Sequence, residues 1–145
     1  MRAPFTQLYV HLVWATWDRL PLISLAFEAR LFAAMVSKCK ELKCEVLEIG
    51  GEADHVHVLV RFTPTITVSD LVKEIKGSSS HLVTHEITPN DFFKWQGAYR
   101  AFTVSPGDLE RVRHYIRLQK AHHRDLTLLE EWELAAEVER SESDD

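Results

Sequence analysis

Cysteine, glycine and proline are scarce in this chain, and each shortage excludes something. Two cysteines in 145 residues, Cys39 and Cys44, cannot build a disulfide framework, and their spacing is not that of a zinc knuckle. They read as free thiols at the end of a helix. Five glycines and five prolines, with no internal repeat, exclude collagen-like and low-complexity architectures. No apolar run approaches the roughly 18 residues that a membrane span requires. The N-terminal stretch MRAPFTQLYVHLVWATWDR is briefly apolar, but Asp18 and Arg19 stand where a small-residue cleavage site would lie. The expectation is an uncleaved, cytoplasmic protein. What is present is 46% hydrophobic and 27% charged residues, the mix of an ordinary globular domain long enough to bury one core.

Positive charge is also scarce overall. A formal net charge of −5 is unlike the basic surface expected of a nucleic-acid partner. The total hides an asymmetry, because residues 1–124 carry 16 Lys and Arg against 13 Asp and Glu, while the last 21 carry one basic residue and nine acidic ones. A mildly basic body is followed by a strongly acidic tail. The organisation expected is one domain over residues 1–127 and an acidic, partly disordered tail over 128–145, with Trp132 and Leu134 able to dock part of it.

Thr6–Thr16 is rich in β-branched and aromatic residues and reads as a strand, with Leu8, Val10, Leu12 and Trp14 on one face and Tyr9, His11 and Val13 on the other. Pro21 breaks the chain and Ser24 is a candidate N-cap. Leu31, Met35, Cys39 and Leu42 recur at helical spacing within a helix expected from Leu25 to about Lys43. Cys44–Gly51 reads as a strand stopped by Gly50 and Gly51, and His55–Phe62 as its hairpin partner. Thr67 and Asp70 resemble a capping box opening a second helix marked by Val68, Leu71, Val72, Ile75, Leu82 and Val83. Gly77 inside it predicts a close backbone approach or a kink. After an irregular link over Thr88–Gly97, Tyr99–Ser105 reads as a fourth strand, and Pro106-Gly107-Asp108 opens a helix running to about Arg124. The order βαββαβ plus a helix predicts an α+β, ferredoxin-like (RRM-like) antiparallel sheet with two helices on one face and a C-terminal helix carrying Tyr115.

The strand HVHVLVRF carries the chemistry. Alternation puts His55, His57, Leu59 and Arg61 on one face and Val56, Val58, Val60 and Phe62 on the other, which is the better core stripe. Two imidazoles two residues apart on a rigid element can bind one divalent cation; the same pattern also serves surface histidines on an edge strand. In the last helix Tyr115 and Gln119 share a face at i, i+4, apart from the apolar stripe Leu109, Val112 and Ile116. Arg111, Arg113, Arg117, Lys120 and Arg124 surround them with positive charge, suited to phosphate contacts or simply to a solvated face.

The segments YVHLVWAT, GGEADHVHVLVRF, LVKEIKGSSS, QGAYRAFTVS and HYIRLQKAHHR, in order over residues 6–132, resemble the single-tyrosine HUH transposases, the small TnpA-type enzymes of insertion sequences that move as single-stranded DNA. The resemblance implies that His55, His57 and Gln119 hold Mg²⁺ or Mn²⁺ and that Tyr115 is the nucleophile. It further implies cleavage and rejoining of single-stranded DNA at hairpin-bearing ends through a 5′-phosphotyrosine, by a homodimer whose active sites can combine the histidines of one chain with the tyrosine helix of the other. A tyrosine with a pKa near 10 is a weak nucleophile at neutral pH, so a metal that draws charge from the scissile phosphate suits the task. Two other readings stay open: a domesticated hairpin-binding protein without transposition, and a structural or hydrolytic metal site without covalent chemistry.

His11 is placed on the face of the histidine pair, as a candidate DNA contact near the site or a further ligand. Lys73 and Lys76 are candidate DNA contacts or part of a solvated helix face. Trp95 and Tyr99 stack on bases or pack in the core. His122 and His123 reach the metal, cap the helix or contact phosphate. Asp54 is a turn residue. The segment WDRLPLIS is less basic than the resemblance leads one to expect. The acidic tail is expected to compete with DNA for the basic helix.

Overall fold

The computed structural model describes residues 3–121 and 132–133. Its sheet has four strands, β1 (Tyr9–Ala15), β2 (Glu45–Glu52), β3 (His55–Arg61) and β4 (Arg100–Thr103), in the order β2-β3-β1-β4 with every neighbouring pair antiparallel. This is the expected ferredoxin-like arrangement. The helices are α1 (Glu28–Glu41), α2 (Val68–Leu82) and α3 (Leu109–Arg117).

Alternation along β1 and β3 divides the hydrophobic residues between two faces. Val10, Leu12, Trp14, Val56, Val58 and Val60 meet Leu31, Met35 and Cys39 of α1 and Leu71, Val72 and Ile75 of α2 in the main core. On the opposite face Leu59 meets Val112 and Ile116 of α3 in a smaller cluster. Among the described residues α3 is the helix that covers the second face, and the histidines lie on that face.

The element ends follow local chemistry. Thr67 caps α2, its hydroxyl accepting the Asp70 N–H at 3.1 Å, a contact of the kind that stabilises by about 1 kcal/mol. Ser24 initiates a turn rather than the helix itself: its carbonyl accepts from Phe27 and Glu28, and α1 begins only at Glu28. The close approach or kink expected at Gly77 is absent: a Cβ there would meet nothing within 4 Å, and α2 runs through it before ending in a π-helical turn over Val83–Ile87. The last helix is interrupted at Leu118, whose N–H is bonded to the His114 carbonyl, and helical structure resumes at 119–121. Its expected extension to Arg124 lies outside the described residues.

Two features of β2 were not expected. A bulge between Val46 and Glu48 inserts Leu47 into the ladder, since Val46 pairs with Val60 while Glu48 pairs with Leu59. The extra residue re-phases the strand, so that Ile49 returns to the main core while Glu48 bonds to Arg113 and Arg117 of α3. Gly50 and Gly51 do not stop the strand but pair with His57 and Val56. The reason lies above them: an ideal Cβ on Gly50 would stand 2.3 Å from the Ile116 carbonyl oxygen, so the backbone of α3 rests directly on β2. Among the described residues no helix is long and apolar enough to cross a membrane.

Candidate active site

His55 and His57 are fully buried on the α3 face of the sheet, two residues apart on β3 and therefore side by side. His11 joins them from β1. It pairs in register with Leu59, which sets it diagonally from His57, and its Nε2 lies 2.9 Å from His57 Nδ1. Burial, then the neighbouring His57, pushes the His11 pKa down to about 3, against a smaller opposing pull from Glu133, so this ring is neutral at physiological pH.

Tyr115 and Gln119 come to the same place from α3 and the turn beyond it. The Tyr115 ring stands edge-on to His57 with centroids 5.9 Å apart, and Gln119 Oε1 lies 3.1 Å from His55 Nε2. Tyr115 thus meets the histidines of its own chain. The four residues singled out from the sequence are brought together, with Tyr115 only 3% exposed and the others buried.

Glu133 completes the cluster, and nothing in the sequence reading pointed to it beyond the bulky Trp132 before it in an acidic tail. One carboxylate oxygen accepts a hydrogen bond from the Tyr115 hydroxyl at 2.6 Å and another from Gln119 Nε2 at 3.2 Å. The other oxygen lies 3.2 Å from His57 Nε2 and 3.5 Å from His55 Nε2. Arg100 donates to the Glu133 carbonyl at 2.6 Å. Trp132 packs edge-on against Tyr115 with centroids 4.9 Å apart, and the Arg111 guanidinium lies over the indole at 4.8 Å. Burial works against the Glu133 charge, but the hydrogen bond and charge of His57, the Tyr115 hydroxyl and His55 outweigh it and hold the pKa at about 2.

Whether these side chains suit a divalent cation follows from their hydrogen positions. Asp54 Oδ1 is 2.8 Å from His55 Nδ1, and the Asp54 pKa is held at about 2 because the His55 contact and Arg19 outweigh the cost of burial. An ionised carboxylate only accepts, so His55 Nδ1 carries a hydrogen. In the neutral ring, Nε2 then presents a lone pair. Gln119 donates through Nε2 to Glu133, which turns its Oε1 lone pairs toward that same nitrogen. Lone pairs at this spacing repel unless a proton or a cation lies among them. The separations of 3.1 to 3.5 Å also match the roughly 3 Å expected between neighbouring ligands of an octahedral cation with bonds near 2.1 Å. Among the described residues, His55, His57 and Glu133 form a group of His, Cys, Asp or Glu side chains able to share an ion, with ligand atoms within 4.8 Å of one another. The donor set fits a divalent metal.

Arg111, Arg113, Arg117, Lys120 and Lys76, singled out as DNA contacts, have partners within the fold. Arg113 and Arg117 reach Glu48 at 3.5 and 3.0 Å, and Lys120 bonds to Glu28 and to the Gly51 carbonyl at 2.9 and 2.8 Å. Lys76 donates to the carbonyls of Gln96 and Ala98 at 2.7 and 2.9 Å. Lys73 lines a groove of about 520 Å³ with Lys94, Trp95 and Tyr99 on the other side of the sheet from the histidines. Trp95 is packed in the core and donates its ring N–H to Ser79, which favours the packing reading over base stacking. Asp54 does sit in the turn before β3, and it also touches a candidate ligand. His122 and His123 lie outside the described residues.

Comparisons with known proteins identify the family and the fold. The family model described as transposase IS200-like matches residues 4–119. Among solved structures, a candidate transposase from Deinococcus radiodurans R1 is 26% identical, with a TM-score of 0.64, covering 82% of this chain and 95% of its own. A REP-associated tyrosine transposase bound to a REP hairpin shares the fold at a TM-score of 0.64 and 14% identity, with 85% of this chain and 73% of that one covered. No curated protein matches the chain. A match spanning all four strands and ending at Gln119 leaves one assignment: the chain belongs to the IS200-like transposase family.

Proposed function

We propose that this transposase cleaves and rejoins single-stranded DNA at hairpin-bearing ends, with Tyr115 as the nucleophile and His55, His57 and Gln119 holding Mg²⁺ or Mn²⁺. The observation that carries the reading is the convergence of the Tyr115 hydroxyl, both histidine Nε2 atoms and Gln119 on one buried carboxylate. That point is where a scissile phosphate would meet both nucleophile and metal. When bound, the metal supplies Lewis-acid polarisation of the phosphate.

The protein supplies the rest. Tyr115 attacks phosphorus in line, the bond to the 3′ oxygen breaks, and the products are a 5′-phosphotyrosine and a free 3′-hydroxyl. The tyrosine loses a proton and the departing oxygen takes one up, so the exchange is balanced without a nucleotide cofactor. The ester bond is conserved, and a different 3′-hydroxyl reverses the step to join new ends. The seating of α3 on β2 at Gly50 holds the nucleophile at a fixed distance from β3. Because Tyr115 and the histidines are buried beneath Trp132 and Glu133, those two residues must leave before a phosphodiester enters. The REP hairpin held by the structural relative supports hairpin DNA as the substrate. Two chains acting as a homodimer would handle two ends together.

The test uses a labelled single strand that carries a hairpin-forming imperfect palindrome, to be searched for beside the gene, incubated with Mg²⁺ or Mn²⁺. A covalent protein–DNA adduct is expected from the native protein and none from Tyr115→Phe. An adduct that survives Tyr115→Phe, or no adduct from the native protein, sinks the tyrosine mechanism.

A further inference from the structure

Each candidate ligand histidine is held from behind by a residue to which the chemistry above gives no task. His55 Nδ1 faces Asp54 Oδ1 at 2.8 Å, and His57 Nδ1 faces His11 Nε2 at 2.9 Å. We infer that Asp54 and His11 are positioning residues that fix His55 and His57 with their Nε2 lone pairs turned into the site, and that Arg19 holds Asp54 for this purpose. The inference rests on reading the two histidines as cation ligands.

The mounting of Asp54 is built from both sides of the sheet end. Its backbone carbonyl accepts from the Thr16 N–H at 2.9 Å and the Thr16 hydroxyl at 3.1 Å, which ties the turn before β3 to the end of β1. Arg19 Nε donates to Asp54 Oδ2 at 3.2 Å, leaving Oδ1 for the histidine. To reach that position the chain holds Asp18 and Arg19 at φ of 53° and 50°, a left-handed conformation that aspartate tolerates but that is unfavourable for arginine. Ile23 N–H bonds to the Ala53 carbonyl at 2.9 Å and secures the same loop further along. Local strain maintained around one carboxylate contact is what a site with a required orientation needs.

His11 performs the equivalent task without charge. When His57 ligates through Nε2, its hydrogen must lie on Nδ1, where His11 Nε2 stands 2.9 Å away as acceptor. The remaining hydrogen of His11 then lies on Nδ1, which is buried with no hydrogen-bond partner among the described residues. A buried donor left unpaired is costly, so the pair at His57 is the weaker of the two supports. Asp54 therefore dominates the orientation of the centre.

Outer partners of metal-bound histidines typically contribute 10- to 100-fold to metal affinity. The test needs no DNA. Long-range proton–nitrogen correlation spectra of the ¹⁵N-labelled, metal-free protein read the His55 tautomer, and Mn²⁺ titration followed by electron paramagnetic resonance reads affinity. The hydrogen is expected on Nδ1 of His55 in the native protein and in Asp54→Asn, whose amide oxygen still accepts, and on Nε2 in Asp54→Ala. Mn²⁺ affinity should fall about 10- to 100-fold in Asp54→Ala, with partial recovery in Asp54→Asn, and by a smaller factor in His11→Phe. An unchanged tautomer together with unchanged affinity in Asp54→Ala overturns the inference and leaves the proposed function standing. If the native protein binds no Mn²⁺, the metal reading of the site falls, while the tautomer spectra still decide whether Asp54 sets His55.

Discussion

Replacing Gly50 with alanine would put a methyl carbon 2.3 Å from the carbonyl oxygen of Ile116 and 3.2 Å from its carbonyl carbon. Both are backbone atoms of α3, so no side chain can turn aside. Restoring an ordinary contact requires α3 to retreat from β2 by about 1 Å, a distortion of the overpacking class that costs roughly 1–3 kcal/mol. For a chain of this length the unfolding midpoint should fall by about 2–12 °C. The catalytic effect should be larger than the stability effect, because Tyr115 is the neighbour of Ile116 and moves with it. A misplacement of about 1 Å can cost on the order of 100-fold in rate. Circular dichroism would follow the unfolding, and single-turnover formation of the covalent DNA adduct would follow the chemistry at a temperature where the variant is folded. Gly107→Ala is the control, since a Cβ there meets nothing within 4 Å. A Gly50→Ala protein with native midpoint and native adduct rate would show that α3 does not rest on β2 at this point, and the account of how Tyr115 is placed would fail.

Three other predictions are independent of that one. Gly77→Ala, in the open interior of α2, should stabilise the protein by about 0.5–1 kcal/mol, read from urea unfolding; a loss of stability would reveal a contact at Gly77. Trp132→Ala should uncover Tyr115, now 3% exposed, so that nitration mapped by mass spectrometry finds it modified in the variant and protected in the native protein. Equal protection in both would mean that Trp132 is not the cover. Burial, then the neighbouring Cys44, pushes the Cys39 thiol up to about 12 from an unperturbed 9.0. Above pH 9 the unfolded chain ionises while the folded one does not, so this contribution to stability is complete below pH 9 and disappears as pH rises toward 12. The folded protein should accordingly resist iodoacetamide at Cys39 at pH 8.5 while the urea-unfolded chain reacts; equal rates would refute the burial.

The residues most legible in the sequence were those whose position depends on alternation alone. His55 and His57 against Val56, Val58 and Val60, and His11 against Val10 and Leu12, could be assigned to faces because a strand has a period of two. Tyr115 and Gln119 were legible because helical spacing puts i and i+4 together. Glu133 was not, since no local rule says which of nine acidic residues in a tail returns to a distant pocket; only its partners Arg100, Tyr115 and His57 select it. Asp54 reads as a turn residue from the sequence, which it is, but its orienting bond depends on Arg19 arriving from the far side of a strained loop. Gly50 looked like the end of a strand because glycine is a poor strand residue, whereas its lack of a side chain is what the helix above requires.

The inserted Leu47 lets β2 lose a residue without changing its faces. Removing it would let Val46 and Glu48 follow one another in simple alternation, still opposite Val60 and Leu59. Val46 and Ile49 would keep to the main core, and Glu48 and Gly50 to the side of α3. A single-codon deletion here would remove the packing of Leu47 against the Leu59, Val112 and Ile116 cluster but leave together the acidic anchor for α3 and the bare backbone on which it rests. Deleting Ile49 would instead put Glu48 and Gly50 on opposite faces. Relatives that shorten this strand by one residue should therefore do so at the bulge, or carry a compensating change in the seat of the tyrosine helix.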